Sequence, residues 1–207
     1  MTEYEIEPVP GLPGRLPPGE RILWQGAPEW RALARCAFRT RWVAAYFGGL
    51  ALIAGTFGTA AGVGVTIALG VAAVGLLHLL AWGSARTTIY TLTNRRIVLR
   101  VGMAVPKCIN LPLTRIASVD LAARGEAGDV ALTLRGAPKL GYLALWPHAR
   151  PLKVARPQPM LRALPDAATV AALVARSCLA ANPTGQLGAP VVAPPQAVPD
   201  FAGAQAA

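Results

Sequence analysis

The sequence predicts an α+β membrane protein in which a transmembrane helical hairpin precedes a small antiparallel β sandwich or barrel closed by a C-terminal helix. Three observations predict it. From Trp42 to Trp82 no Asp, Glu, Lys or Arg occurs. After Ser84 the apolar residues recur at every second position, the signature of half-buried strands. From Pro165 onward they return to helical spacing, with Val170, Leu173, Val174 and Cys178 on one stripe behind Asp166 as N-cap.

A spanning helix needs about 20 apolar residues rising 1.5 Å each, so the uncharged run is about two spans long. A hairpin over 42–83 follows, with spans over 42–58 and 62–82. The reversal is placed where small and polar residues crowd together, at Thr56, Gly58, Thr59, Ala60, Ala61 and Gly62. Arg31, Arg35, Arg39 and Arg41 precede the run, Arg86, Arg95, Arg96 and Arg100 follow it, and the reversal is uncharged. Basic flanks stay on the cytoplasmic side, so both termini are expected there, with Trp42, Tyr46 and Trp82 at headgroup level. The environment implied for this segment is the lipid bilayer.

Within the spans small residues form rows: Ala51, Gly55 and Thr59; Ala54, Gly58 and Gly62; Gly62, Thr66 and Gly70. Helices in lipid associate by close backbone approach at such residues. Ala51, Gly55, Gly58, Gly62, Thr66 and Gly70 are therefore candidates for packing a partner helix or a second copy, and equally for packing the hairpin on itself. His78 is the one titratable residue in the run. Intramembrane polar residues are functional candidates, so it is either a ligand to a pigment metal or a histidine that reaches the interface.

Ahead of the hairpin, residues 1–28 are rich in Pro and Gly and predict an irregular arm carrying one short strand near Ile22 and Trp24. Over 29–41, Trp30, Leu33, Ala37 and Phe38 share a side at helical spacing while Arg31, Arg35 and Arg39 recur. This reads as an amphipathic helix lying at the interface, or as an extension of the first span.

Beyond the hairpin a domain over 84–182 is expected, within the usual size of a single domain. Thr87–Thr93 and Arg95–Gly102 predict a β-hairpin turning at Thr93, Asn94 and Arg95. Further strands are expected at Lys107–Leu113, Ile116–Ala122, Val130–Arg135 and Tyr142–Trp146, with the closing helix after Asp166. Residues 183–207, rich in Pro, Ala and Gly with one charge at Asp200, predict a disordered tail.

Composition narrows the function. The net charge of +10, from 20 basic against 10 acidic residues, is concentrated over 31–165, beside the expected membrane, where anionic headgroups account for it. The arginines are scattered without a basic-aromatic platform, which argues against nucleic acid. Cys36, Cys108 and Cys178 are far apart and form no metal-binding pair. The acidic opening, Glu3, Glu5 and Glu7, is unlike a cleavable signal. No catalytic motif is present: Asp120, Glu126 and Asp129 read as a solvated acidic turn, His148 as a loop residue, and Gly62-Val63-Gly64 lacks the third glycine of a dinucleotide loop. A non-enzyme without cofactor or metal is expected.

The stretch Tyr90-Thr91-Leu92-Thr93-Asn94-Arg95-Arg96-Ile97-Val98, then Gly102 and Ile109-Asn110-Leu111-Pro112-Leu113-Thr114-Arg115-Ile116-Ala117-Ser118-Val119, resembles the bacterial pleckstrin-homology-like domains attached to membrane hairpins. Gly19-Glu20-Arg21-Ile22-Leu23-Trp24-Gln25-Gly26-Ala27-Pro28 shares that likeness. Further residues, Glu3-Tyr4-Glu5, Gly11-Leu12-Pro13, Leu16-Pro17-Pro18-Gly19-Glu20, Trp30-Arg31-Ala32-Leu33-Ala34-Arg35 and Arg41-Trp42-Val43-Ala44-Ala45-Tyr46-Phe47, resemble the photosynthetic-complex assembly factors of purple bacteria. The resemblance implies a bent antiparallel sheet capped by a helix. It also implies a multi-pass protein of the bacterial inner, intracytoplasmic membrane that helps assemble the reaction centre, with reaction-centre and light-harvesting subunits as partners. Relatives in that group have three spans, whereas two are evident here. The alternative of the same fold is a module binding anionic lipid or a general membrane partner. Arg95, Arg96, Arg100 and Arg115 would then hold a headgroup, or else simply face solvent. Tyr142, Leu143, Leu145 and Trp146 are candidates for partner contact along an apolar edge, and equally for core.

Overall fold

A computed structural model of the chain describes residues 10–103, 105–124, 127–136 and 141–182. The expected tail over 183–207, the first nine residues and Glu126 lie outside the described residues.

Among the described residues seven strands form two antiparallel sheets. The first holds β1 (Ile22–Gly26), β2 (Ile89–Thr93), β3 (Arg96–Val101) and β4 (Lys107–Pro112) in that order. A single 3-10 turn at Leu113–Arg115 leads to the second, β5 (Ile116–Arg124), β6 (Ala127–Leu134) and β7 (Met160–Leu164). Helix α5 (Ala167–Ala181) lies across β5 and β6. Tyr90, Leu99, Leu113, Leu132, Val170 and Val174 meet in the core that the sheets and α5 enclose. Along β3 Ile97, Leu99 and Val101 are buried and Arg96 and Arg100 only partly covered, but Val98, expected on the arginine face, is fully buried as well, so the alternation is broken there. Asp166 stands at the α5 N-cap position without a side-chain bond; its carbonyl accepts from Val170 N–H.

Before the domain, helix α1 (Trp30–Cys36) begins at Glu29, whose two carboxylate oxygens accept from Arg31 N–H at 2.9 Å and Ala32 N–H at 2.6 Å, satisfying donors that have no partner within the helix. Helix α2 (Thr40–Phe57) and helix α3 (Ala60–Thr87) form a helical hairpin. It reverses at Gly58 and Thr59, inside the predicted interval, with Thr59 Oγ1 accepting from Gly62 N–H at 3.2 Å. Among the described residues α3 is the helix long and apolar enough to cross a membrane.

Four expectations are corrected. The stretch Tyr142–Trp146 is not a strand; it contains helix α4 (Tyr142–Leu145), because the place beside β6 is taken by β7, which the sequence reading missed. Leu145 is accordingly fully buried and belongs to no exposed edge. The helix expected over 29–41 is neither one amphipathic rod nor an extension of the span. It stops at Cys36, and Arg39 adopts φ +51°, a left-handed conformation that breaks the helical path before α2. Ala32, Leu33 and Ala34 are buried, and α1 packs on α3 and β7. The described part of the expected arm belongs to the domain, since β1 pairs with β2 along its length.

Candidate functional site

Two features stand out as places where this fold could act on something else: the open face of the helical hairpin, and the junction where the hairpin meets the β domain.

On the hairpin the small-residue rows divide. Gly70 is used internally: a Cβ there would lie 2.7 Å from Phe47 Cβ, so the two helices touch only because Gly70 has no side chain. Gly58 and Gly62 are taken up by the reversal, and Thr66 Oγ1 donates to its own helix at Gly62 O. Gly55, together with Gly48, Gly49, Gly64 and Gly75, faces open space. Ala51 lines an apolar groove of about 500 Å³ with Ala44, Phe47, Gly48, Ile67 and Gly75, open on one side. Of the six residues named from the sequence, Ala51 lines this groove and Gly55 faces open space, while Gly70 lies at the groove floor, where it is already packed against Phe47. His78 sits where α1 crosses α3, its ring 6.4 Å from that of Trp30 and edge-on to it. Its Nδ1 donates to Val74 O at 2.8 Å.

At the junction the side chains are polar and enclosed. The Tyr90 hydroxyl accepts from Arg162 N–H at 3.2 Å and shares a hydrogen bond of 2.6 Å with His148 Nδ1. The other ring nitrogen, Nε2, is hydrogen-bonded to Thr88 Oγ1 at 3.1 Å, so each ring nitrogen has a hydroxyl partner. Burial pushes the His148 ring down to about 3, with the Arg162 charge adding to it, and burial pushes the Tyr90 hydroxyl up. Both groups are therefore held neutral at neutral pH. Arg162 is itself buried; its guanidinium donates to Pro147 O at 2.9 Å and Cys36 O at 3.3 Å and faces Asp129 at 3.9 Å. Asp129 Oδ1 accepts from Ala163 N–H at 2.9 Å. These residues bolt β7 to α1 and to the end of α3. His148 lies in the connection between α4 and β7, a loop as expected, but is buried; Asp129, expected in a solvated turn, stands instead in β6 and is buried too. No motif marks them; the hint was an isolated His and Arg within otherwise apolar segments. Burial also pushes the Cys178 thiol up to about 11, leaving it an inert core group.

The four arginines proposed for a headgroup are not one cluster. Arg96 is held by Glu20: Nε donates to Oε1 at 2.8 Å and Nη2 to Oε2 at 3.0 Å, while Thr93 Oγ1 donates to Oε1 at 2.8 Å. Burial alone would raise the Glu20 carboxyl, but the bonds from Arg96 and Thr93 and the charges of Arg96 and Arg95 outweigh it and hold it below the usual range. Arg95 and Arg115 are exposed near the β2–β3 turn, where Leu113 N–H bonds Arg95 O. Arg100 pairs with Ile89 at the opposite end of the same strands, next to α3. A single headgroup spanning all four is ruled out by that separation, and Arg96 is already committed. Of the apolar residues read as an edge, Leu143 and Trp146 are exposed, Tyr142 is partly covered and Leu145 is core. Among the described residues no group of three or more His, Cys, Asp or Glu could hold a metal.

Comparison with known proteins adds a family. Residues 42–177 match the family model described as a bacterial PH domain. The chain is also similar to a Rhodobacter capsulatus protein described as an uncharacterized 23.7 kDa protein in the puhA 5′ region, with 39% identity over 193 residues, covering 86% of this chain and 88% of the relative. No solved structure matches the chain.

Proposed function

This chain belongs to the bacterial PH domain family, and on that premise we propose that it is a non-enzymatic scaffold that helps assemble the photosynthetic reaction centre and its light-harvesting complex in the bacterial inner membrane. The hairpin crosses the bilayer twice, both termini are cytoplasmic, and the β domain stands at the inner surface. One observation carries the membrane part of this reading. In the most apolar 18-residue window of α3 only 6% is buried inside the protein, and α2 likewise turns Trp42, Leu52, Ile53 and Phe57 outward. A core helix of a water-soluble protein would be covered; an apolar surface this extensive is sheltered by lipid or by another membrane helix.

The partner part rests on the groove at Ala51 with open space at Gly55, which lets a second helix approach closely, on the sequence resemblance, and on a relative named for its position beside puhA. Scaffold function needs surfaces and no reacting groups; of the described buried groups with strongly shifted ionisation, Tyr90 and His148 are bonded to each other and Cys178 lies in the core. Deleting the gene should lower reaction-centre content, measured by near-infrared absorbance of membranes, while pigment synthesis continues. A full complement of complexes in the deletion strain refutes the assembly role. Complementation with Gly55→Leu should restore the protein but not the complexes.

A further inference from the structure

We propose that the β domain is seated on the leaflet from which the hairpin ends emerge, through two apolar protrusions: the β3–β4 turn at Met103 and Val105, and α4 with its following residue at Leu143 and Trp146. The occupant of this surface is an anionic lipid bilayer. The inference rests on the membrane-embedded hairpin proposed above.

The first protrusion is fixed against the foot of α3. A Cβ on Gly83 would lie 3.0 Å from Met103 Sδ, so the turn reaches back along the helix to the residue after Trp82. At 1.5 Å per residue that is about 6 Å inside the last residue of the helix. Gly102, at φ +110°, makes the reversal possible, with a Cβ there blocked by Val105 O. Met103 and Val105 are both exposed at this level. The Trp82 ring is covered by the Arg86 guanidinium at 5.2 Å, an amphipathic pair suited to headgroup depth.

The second protrusion is fixed against the foot of α2. The Trp146 ring meets Phe38 edge-on at 5.3 Å, and Phe38 stands directly before Arg39 and the start of α2. Trp146 remains 47% exposed and Leu143 88% exposed. Arg35, Arg39 and Arg41 surround this foot, and Arg86 and Lys107 the other, all exposed. Apolar side chains interleaved with cations beside two span ends match the chemistry of an anionic interface better than that of a protein groove.

Exposure alone does not make this pattern. Leu152 is 93% exposed, yet it lies beyond Arg150, which is tied to Asp120 at 2.9 Å and Gln158 at 3.1 Å. Gln158 in turn reaches Thr133, whereas the opposite end of β6, at Gly128, borders the α1–α2 junction. Leu152 therefore belongs to the water-facing side.

The test uses the full chain with Cys36→Ser, Cys108→Ser and Cys178→Ala, and single NBD-labelled cysteines at Val105, Leu143, Leu152 or Val71 in mid-α3. The labelled protein is reconstituted into vesicles of phosphatidylglycerol and phosphatidylcholine. Val105→Cys and Leu143→Cys should show blue-shifted emission, quenching by shallow doxyl lipid and protection from aqueous iodide. Leu152→Cys should show iodide quenching only, and Val71→Cys quenching by deep doxyl lipid. Iodide access at 105 and 143 with lipid quenching at 71 overturns this proposal and leaves the hairpin in the membrane. Iodide access at 71 overturns both. Protection at 105 and 143 that appears only in native membranes assigns the surface to a protein instead. Unchanged protection in phosphatidylcholine alone removes the anionic component. Should the cysteine substitutions unfold the chain, Trp146→Phe in the otherwise native protein should remove part of the tryptophan quenching by brominated lipid; no change counts against the proposal.

Discussion

In the β domain Leu99, Leu113 and Leu132 are completely buried, whereas on the hairpin Leu52, Leu69 and Leu79 stand mostly exposed. The same side chain is sorted in opposite directions within one chain. In the domain, leucines leave water by meeting one another across two sheets and a helix, at roughly 25 cal/mol for each Å² of apolar area covered. On the hairpin the pair of helices meets through Gly70 and Phe47 and leaves its large residues outside, which is stable only where the surroundings are themselves apolar. The polar residues obey the converse rule. Glu20, Asp129, His148 and Arg162 are buried in the domain, each with a partner, while the hairpin between Trp42 and Trp82 contains no charge that would need one.

The contrast can be broken from either side. Leu132→Ala should cost the domain about 2–5 kcal/mol, seen as a lower midpoint in thermal or denaturant unfolding, because its full burial leaves a cavity. Val71→Arg, at an exposed site in mid-α3, should cost about 2.5–3.5 kcal/mol of insertion and shift protein into the carbonate-soluble fraction. On the reading that α3 lies in water, the same change would do almost nothing.

Acid sharpens the comparison within the domain. His148 has its ionisation depressed to about 3 by burial, so the unfolded chain binds a proton that the folded one refuses. Its contribution is fully present above the ordinary histidine value of about 6.5 and is lost as pH falls from there toward 3. His148→Gln should flatten that part of the stability-against-pH curve, at some cost at neutral pH, read by urea unfolding. Glu20, also depressed, acts lower: its contribution is present above the usual carboxylate range and lost as pH falls through its folded value. Glu20→Gln should cost about 1–3 kcal/mol at pH 7, since Arg96 then loses a bidentate carboxylate. The smallest effect is expected for Leu152→Arg, within about 0.5 kcal/mol, because that side chain touches little.

How far these elements were legible follows from the range over which each is specified. The β2–β3 turn was readable because Thr93 Oγ1 accepts locally from Arg95 and Arg96 N–H; the bond that Asn94 Oδ1 accepts from the distant Arg21 N–H was not. The hairpin reversal was readable because Thr59 caps its own helix. Strand β7 was not, since Met160-Leu161-Arg162-Ala163-Leu164 has the composition of a helix and is held extended by pairing with β6 and by the Asp129 carboxylate. With β7 in the place beside β6, Tyr142–Leu145 forms a helix instead of a strand, and Leu145 lies in the core. Among the site residues, Gly55 and Gly70 looked equivalent in sequence; only the facing Phe47 separates an internal contact from an open one.

By itself the sequence determined the order of the parts: an uncharged run too long for one span, a basic rim at both its ends, a stretch of period two and a closing amphipathic helix. Each of these is a local pattern, fixed by how often an apolar or charged side chain recurs along the backbone. Only the tertiary structure decided which arginine is already paired with Glu20, which glycine faces a neighbour, and where Trp146 and Met103 come to rest beside the helix feet. Those outcomes depend on contacts between residues tens of positions apart, whose geometry exists only after the sheets and helices have packed.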